Sequence, residues 1–286
     1  MAADLVMTNG RVVTMDAQQP EVTAVAICGT KILAVGNDDE MRDLLSPDGE
    51  WIDLNGRAVI PGLVDAHVHF QGFSIFRQRV DLDEASSLDE VLERIVRYAN
   101  KKQVVSVGGD GIEWLQGRGW NQNSWRDSIS PTAAQLDQIV PNRPACLRHK
   151  SGHAAWVNSK ALQLCGITAA THDPAGGQIQ RDANGKPTGI LFEDAMNLVT
   201  DLIPRPTLNE ISAAMLDAQE YCWQVGLTGL HDFDGRSCFQ ALQSLHLREL
   251  LGLRIVKNIP VKRLDSAIGV GLRSGFGDDW LRIGGV

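Results

Sequence analysis

Short apolar runs separated by turn residues fill the first sixty positions of the chain. Asn-Gly accepts positive φ angles easily, and turns of this kind join neighbouring antiparallel strands. The pattern therefore predicts three β-hairpins, which turn at Asn9-Gly10, at Gly29 and at Asn55-Gly56. Their strands are expected at 5–7 with 11–13, 22–27 with 31–35, and 51–54 with 57–60, in a small antiparallel sheet.

Apolar residues recur at helical spacing after Pro61-Gly62. Ser87-Leu-Asp-Glu90 and Thr207-Leu-Asn-Glu210 both have the sequence of a capping box, which predicts a helix after each. Shorter helices are expected to begin at Ser130-Pro131 and at Asn158-Ser159. The helix after Thr207 is predicted to bury one face, which consists of Ile211, Ala214, Met215, Ala218 and Cys222.

Strand-like and helical segments alternate in the last part of the chain. Strands are predicted at 225–232, 253–257 and 280–286, with a helix at 237–250. Such alternation is typical of βα units around a parallel sheet. The chain stops at Val286 inside the last strand-like segment, and a parallel strand without its neighbour leaves an open sheet edge. The pattern therefore predicts a truncated polypeptide.

Composition narrows the class of protein. The 286 residues are 43% hydrophobic and 22% charged, which is typical of a soluble globular protein. A net charge of -8 argues against nucleic acid or an anionic membrane as the main partner. The sequence shows no signal peptide and no apolar stretch long enough to span a bilayer. Five scattered cysteines predict free thiols in a cytoplasmic protein.

A His-X-His triplet is the strongest chemical signal. The apolar segment 59–66 leads directly into His67-Val-His69. Alternate side chains of a strand share one face, so the two imidazoles are expected on the same side, roughly 6 to 7 Å apart at Cα. Two neutral imidazoles so placed can bind one divalent ion. Alone, such a triplet also fits surface or core histidines; Asp65 has the same parity, in a supporting or structural role.

The sequence around this triplet resembles the first barrel strand of the amidohydrolase superfamily. The similar run extends from Gly56 through Pro-Gly-Leu-Val-Asp-Ala to His69. Further segments resemble the amidohydrolase 3, or YtcJ-like, branch, and together they cover nearly the whole chain in the expected order. They are Gly-Arg-Gly-Trp-Asn-Gln at 117–122, the segment 147–162, Pro-Thr-Gly-Ile-Leu-Phe-Glu at 187–193, and Gly-Leu-Thr-Gly-Leu-His-Asp at 226–232.

The resemblance implies an α/β fold with a partial (β/α)8 TIM barrel, of which only the first strands are present. Residues 1–58 would form an N-terminal β-sandwich half, and 59–70 with 220–286 the first four barrel strands. Residues 71–219 would be a large α+β insertion that caps the barrel mouth. The family's remaining ligands are a bridging lysine or carboxylate, two histidines and an aspartate, which the resemblance places on later strands, beyond Val286.

The same resemblance implies the site residues. His67 and His69 would be metal ligands for one or two divalent ions, with zinc as the default and other metals compatible with imidazole. Trp120, His153 and Glu193 are candidates for substrate binding, although core packing for Trp120 and structural or solvated positions for the other two remain open. His231-Asp232 ends a predicted barrel strand, where an aspartate can also cap the next helix.

The implied reaction is hydrolysis of a non-peptide C–N bond, such as a small-molecule amide or formamide, by metal-activated water. The general base would lie outside this sequence. Two alternatives stay open: an inactive fragment or binding scaffold that keeps the fold, and a metal-free barrel enzyme whose histidines act as acid–base groups. A homodimer is a candidate assembly.

Overall fold

The computed structural model describes residues 2–100 and 112–286 of a mixed α/β protein. Part of the predicted insertion, residues 101–111, lies outside the described residues. The first elements are the strands β1 (Ala3–Thr8), β2 (Arg11–Val13), β3 (Glu21–Val22), β4 (Ala24–Cys28) and β5 (Lys31–Gly36), the helix α1 (Asp38–Arg42), and the strands β6 (Leu45–Asp53), β7 (Ala58–Val59) and β8 (Leu63–Val68). Next come α2 (Phe70–Arg77), β9 (Val80–Asp81), α3 (Leu88–Ala99), β10 (Leu115–Trp120), α4 (Ala133–Ile139), β11 (Ala145–His149), β12 (Ala154–Val157) and α5 (Ser159–Leu164). The remaining elements are β13 (Gly177–Arg181), β14 (Pro187–Glu193), α6 (Asn197–Thr200), α7 (Leu208–Gln224), β15 (Leu227–Asp232), α8 (Arg236–Leu247), β16 (Arg254–Lys257), α9 (Leu264–Gly269) and β17 (Leu281–Ile283).

Two compact units divide the chain, Met1–Val64 and Asp65–Val286. The first unit contains a four-stranded sheet in the order β5-β4-β1-β6 and a three-stranded sheet in the order β3-β2-β7. Of the three predicted hairpins, the structure confirms the one at Gly29, because β4 and β5 pair antiparallel across it. The other two predictions are wrong. The strands on either side of Asn9-Gly10 and of Asn55-Gly56 belong to different sheets.

The two failed hairpins have a common physical explanation. Asn9 (φ 55°) and Asn55 (φ 49°) do adopt the left-handed backbone that Asn-Gly favours. The pairing partners nevertheless lie elsewhere, since β1 pairs parallel with β6 and β2 pairs parallel with β7. The two corners run side by side and are joined by a hydrogen bond of 2.8 Å from Asn9 Nδ2 to Asp53 Oδ1. The Asn-Gly dipeptides therefore determine where the backbone turns, but they do not determine which strands pair with each other.

The second unit contains a six-stranded mixed sheet in the order β13-β14-β12-β11-β10-β9. On one side Val91 and Ile95 of α3 and Leu136 of α4 share a buried cluster with Trp120 and Trp156. Residues of α5 and α6 belong to a second buried cluster with other side chains of the same sheet. This region therefore has a core of its own on both faces of the sheet.

The remaining sheet of the second unit has the order β17-β16-β15-β8. Strand β16 pairs parallel with both β15 and β17, as the βα pattern predicted. Helix α7 buries the predicted face of Ile211, Ala214, Met215, Ala218 and Cys222 against residues of α2, α8 and the sheet. Full burial of the two large side chains, Ile211 and Met215, contributes about 1.5–3 kcal/mol each. This packing anchors the strand ends that carry the candidate site.

Helix starts follow the predicted capping residues with one exception. Ser87, Asn158 and Thr207 each accept a hydrogen bond from the backbone N–H three residues later. The predicted cap at Ser130 is wrong, because Thr132 occupies the N-cap position of α4. The N–H of Thr132 donates to Gln135 Oε1 at 2.6 Å.

All five cysteines are free thiols, as predicted. Burial raises the pKa of the Cys146 thiol to about 12, so its thiolate is scarce near neutral pH.

Among the helices of the described ranges, none has the length and apolarity needed to cross a bilayer.

Candidate metal centre

His67 and His69 lie close together, as the strand pattern predicted. His67 belongs to β8, and His69 is the residue that precedes the first turn of α2. Their ring centroids are 5.7 Å apart, with the rings nearly perpendicular. The side chain of His69 is 61% exposed, so an ion from solvent can reach it. Two imidazoles at this separation fit the nitrogen donor set of a divalent metal.

Each imidazole is held by a neighbour from the segment after β15. The ring of His67 stacks on Phe233, with a centroid distance of 4.1 Å and an interplanar angle of 14°. Nδ1 of His69 lies 3.1 Å from Oδ1 of Asp234. The backbone N–H of His67 donates to Asp65 Oδ1 at 2.9 Å, which gives Asp65 a supporting role within the strand.

Asp232, the last residue of β15, and Asp234 together cap the N-terminus of α2. The first N–H groups of a helix have no intrahelical partner, and the side chain of His69 forms no cap. Instead, Phe70 N–H donates to Asp232 Oδ1 at 2.8 Å, and Gly72 N–H donates to Asp234 Oδ2 at 3.2 Å. Two carboxylates at this end also complement the helix dipole. The helix start that follows the histidines therefore depends on a strand more than 150 residues away in sequence.

Asp232 is fully buried and forms an ion pair with the buried Lys257 at the end of β16. The distance between Lys257 Nζ and Asp232 Oδ2 is 2.8 Å, and the side chains are 2% and 0% exposed. Lys257 Nζ also donates to the backbone carbonyl oxygens of Asn258, at 3.0 Å, and of Asp234. A buried ion pair is stable only when its other polar atoms are satisfied, and these contacts satisfy them. Lys257 thus fixes the segment that carries Asp234.

Asp232, Asp234 and Cys238 place three potential ligand atoms within 4.8 Å of one another. The site does not fit a metal well, because Asp232 is already paired with Lys257 and accepts from the Cys238 thiol at 3.3 Å. Burial, followed by the charge of Asp232, raises the pKa of Cys238 and keeps it protonated. Asp232, Asp234 and Cys238 therefore stabilise the segment after β15 through their own hydrogen bonds and are not a good site for an ion.

His153 and Glu193, two of the predicted substrate-binding residues, also lie together. His153 Nδ1 is 3.0 Å from Glu193 Oε2, and the side chains are 70% and 56% exposed. The N–H of Glu193 donates to the carbonyl oxygen of His153 at 3.0 Å. Glu193 has φ 49° and ψ -126°, a conformation that favours glycine. Strained backbone of this kind is concentrated at functional positions.

Trp120, the third predicted substrate-binding residue, is only 2% exposed. Its Nε1 donates to the carbonyl oxygen of Leu147 at 2.8 Å, and its ring meets the edge of His149 at a centroid distance of 4.6 Å. These contacts favour the core-packing interpretation that the sequence left open. Burial lowers the pKa of His149, with a smaller contribution from the charge of His153.

Sequence reasoning missed Asp234 and Lys257. The sequence allows Asp232 to cap the following helix, but Gly235 occupies the N-cap position of α8, and Asp232 caps α2 instead. The only sequence signal is the spacing of Asp232 and Asp234, two residues apart where a predicted strand ends, and the helix that they cap is identified only by the structure.

The sequence model of the amidohydrolase family Amidohydro_3 matches residues 50–286. The chain therefore belongs to the amidohydrolase family. The predicted family resemblance is confirmed.

Relatives agree with this assignment. The chain is 36% identical to an N-substituted formamide deformylase of Arthrobacter pascens, over 80% of this chain and 42% of the relative. It is 35% identical to the protein YtcJ of Bacillus subtilis, over 79% of this chain and 42% of the relative. It resembles the crystal structure of an uncharacterized metal-dependent hydrolase from Pyrococcus furiosus, with a TM-score of 0.72 and 25% identity, over 99% of this chain and 55% of that one. The chain spans about half the length of the curated relatives it matches.

Proposed function

We propose that this chain carries part of the active site of a metal-dependent hydrolase that cleaves a non-peptide C–N bond. The observation that carries the proposal is the pair of neighbouring imidazoles, His67 and His69, at the end of β8 in a member of the amidohydrolase family. The substrate class follows from the formamide deformylase relative, and an N-substituted formamide or related amide is the first candidate.

The four strands β8, β15, β16 and β17 are proposed to be the first strands of a (β/α)8 barrel. Parallel pairing of β15, β16 and β17, with helices between successive strands, supports this interpretation. In such barrels the carboxyl ends of the strands form the active site. Residues 71–219 would then be the insertion and 1–58 the sandwich half. A cytoplasmic location and a homodimer remain predictions.

His67 and His69 would hold the metal, which fits their exposure and nitrogen donors. When bound, a divalent ion supplies Lewis-acid activation of water and of the scissile carbonyl group. Phe233 and Asp234 keep the two imidazoles in position. His153 and Glu193 are proposed to contact the polar part of the substrate from the insertion. Trp120 packs in the core against His149 instead of facing a substrate. Zinc is the default ion for this donor set.

The test is zinc binding, measured by isothermal titration calorimetry and by elemental analysis after gel filtration. We expect a His67→Ala/His69→Ala variant to lose at least about tenfold in zinc affinity, because both nitrogen donors are gone. The matched control, His149→Ala/His153→Ala, removes another two histidines and should bind zinc like the wild type. Equal zinc binding by all three proteins would contradict the proposed metal site.

Activity is tested on the zinc-loaded protein by formate release from N-substituted formamides. Zinc-dependent release that the His67→Ala/His69→Ala variant lacks would support the hydrolase. Binding of these compounds without release fits both a partial active site and a binding scaffold, so zinc binding remains the deciding test for His67 and His69.

A further inference from the structure

The contact between His69 and Asp234 determines which nitrogen of the imidazole carries the proton. An ionised carboxylate can only accept hydrogen bonds, so Nδ1 of His69, 3.1 Å from Asp234 Oδ1, must be the donor. A neutral imidazole has one N–H, and Nε2 then keeps its lone pair. A lone pair on nitrogen is what a divalent metal requires.

Three further hydrogen bonds hold Asp234, one to its carboxylate and two to its backbone. Its Oδ2 accepts from the N–H of Gly72, and its own N–H donates to Asp232 Oδ2, both at 3.2 Å. Its carbonyl oxygen accepts from Lys257 Nζ. The side chain is 19% exposed, whereas that of His69 is 61% exposed. The accessible imidazole of His69 is thus oriented by a carboxylate whose other oxygen and whose backbone are both held by hydrogen bonds.

His67 provides an internal contrast. Its ring is positioned by stacking on Phe233, and within the described ranges no hydrogen bond to either of its ring nitrogens is found. Stacking fixes the plane of a ring and leaves its tautomer free. The two histidines are therefore oriented by different means.

We propose that Asp234 is a positioning residue that fixes the tautomer of His69 with Nε2 free for metal, and that the buried Lys257–Asp232 pair keeps Asp234 in place. This inference rests on the proposed function for its use of a metal. The tautomer itself can be measured without one.

The first measurement is ¹⁵N NMR of the histidine side chains in the metal-free protein, at a pH where the imidazoles are neutral. In the wild type we expect a protonated Nδ1 and an unprotonated Nε2 for His69, and a mixture of tautomers for His67. Asp234→Ala should convert His69 to a mixture, and Asp234→Asn, which keeps an acceptor oxygen, should restore part of the preference. The matched control Glu193→Ala should alter His153 and leave His69 unchanged.

The second measurement is zinc affinity. Loss of a carboxylate that orients a metal-bound histidine typically reduces affinity about 10–100-fold, and we expect a loss in this range for Asp234→Ala. The Glu193→Ala control should bind zinc like the wild type.

Any of three results would overturn the proposal. The first is a wild-type His69 that is protonated at Nε2, and the second is a set of His69 nitrogen shifts that Asp234→Ala leaves unchanged. The third is an unchanged zinc affinity in Asp234→Ala. If zinc binding ignores both His67 and His69, the hydrolase function fails instead, and the NMR result still decides whether Asp234 fixes the tautomer.

Discussion

Two histidine–carboxylate pairs have nearly the same nitrogen–oxygen distance but differ in the contacts that hold the carboxylate. His69 and Asp234 are joined at 3.1 Å, and His153 and Glu193 at 3.0 Å. Behind Asp234 lies the fully buried ion pair of Asp232 and Lys257. The second pair is exposed on both sides, and its carboxylate stands on a backbone conformation that favours glycine.

The difference indicates two ways of placing a polar side chain. In the first pair, surrounding hydrogen bonds determine the geometry, and the energetic cost is the burial of charge. In the second pair, the cost is backbone strain, which persists only where neighbouring structure imposes it. Glu193 is exposed and strained whereas Trp120 is buried, so Glu193 is the better candidate for substrate contact.

Removing the charge behind the first pair should have the largest effect. Lys257→Met leaves Asp232 buried without a counter-charge, which should lower the free energy of unfolding by about 3–5 kcal/mol. Urea unfolding followed by circular dichroism measures this loss. Lys150→Met is the matched control, because Lys150 pairs with Asp83 at 2.7 Å on the surface and should change stability little. Similar small losses of unfolding free energy in both variants would show that the buried Lys257–Asp232 pair does not stabilise this region.

Relieving the backbone strain at Glu193 should raise the free energy of unfolding, by less than the Lys257 substitution lowers it. Glu193→Gly removes a side chain from a backbone conformation that costs about 1–3 kcal/mol in other residues, so the variant should be more stable by about 1 kcal/mol. Thermal and urea unfolding measure the gain. Glu193→Gln keeps the strain and should leave stability nearly unchanged. A loss of stability in the glycine variant would indicate that the carboxylate, and not strain, dominates at this position.

The exposed histidines should matter least for stability. His69→Gln and His153→Gln should each change the free energy of unfolding by at most about 0.5–1 kcal/mol, since exposed ion pairs contribute little. The same unfolding experiments apply. A larger loss at either position would mean that the histidine supports the fold, and loss of activity in that variant would then say nothing about chemistry.

The sequence predicted the family, the mixed α/β class, the proximity of His67 and His69, and the buried face of α7. These features depend on local pattern, namely strand parity for the histidines and helical spacing for α7. The structure confirms the proximity of the histidines and the buried face of α7 because the periodicity of a strand or helix fixes which side chains share a face.

Features set by distant partners could not be predicted in the same way. Asn9-Gly10 specifies a bend, and whether β2 pairs with β1 depends on β6 and β7. The N-terminus of α2 looks uncapped in sequence, because its caps Asp232 and Asp234 come from another strand. Lys257 likewise resembles any lysine at a strand end until its burial beside Asp232 is known.

The capping of α2 by Asp232 and Asp234 also determines when the half-site can form during protein synthesis. His69 leaves the ribosome first, and Lys257 follows 188 residues later (257 − 69). At about 5–20 residues per second, this interval lasts roughly 10–40 s. The six-stranded sheet, whose described partners all lie between β9 and β14, can assemble in that interval. The newly made chain therefore passes through a period in which His67 and His69 have been synthesised but the contacts that orient them have not yet formed.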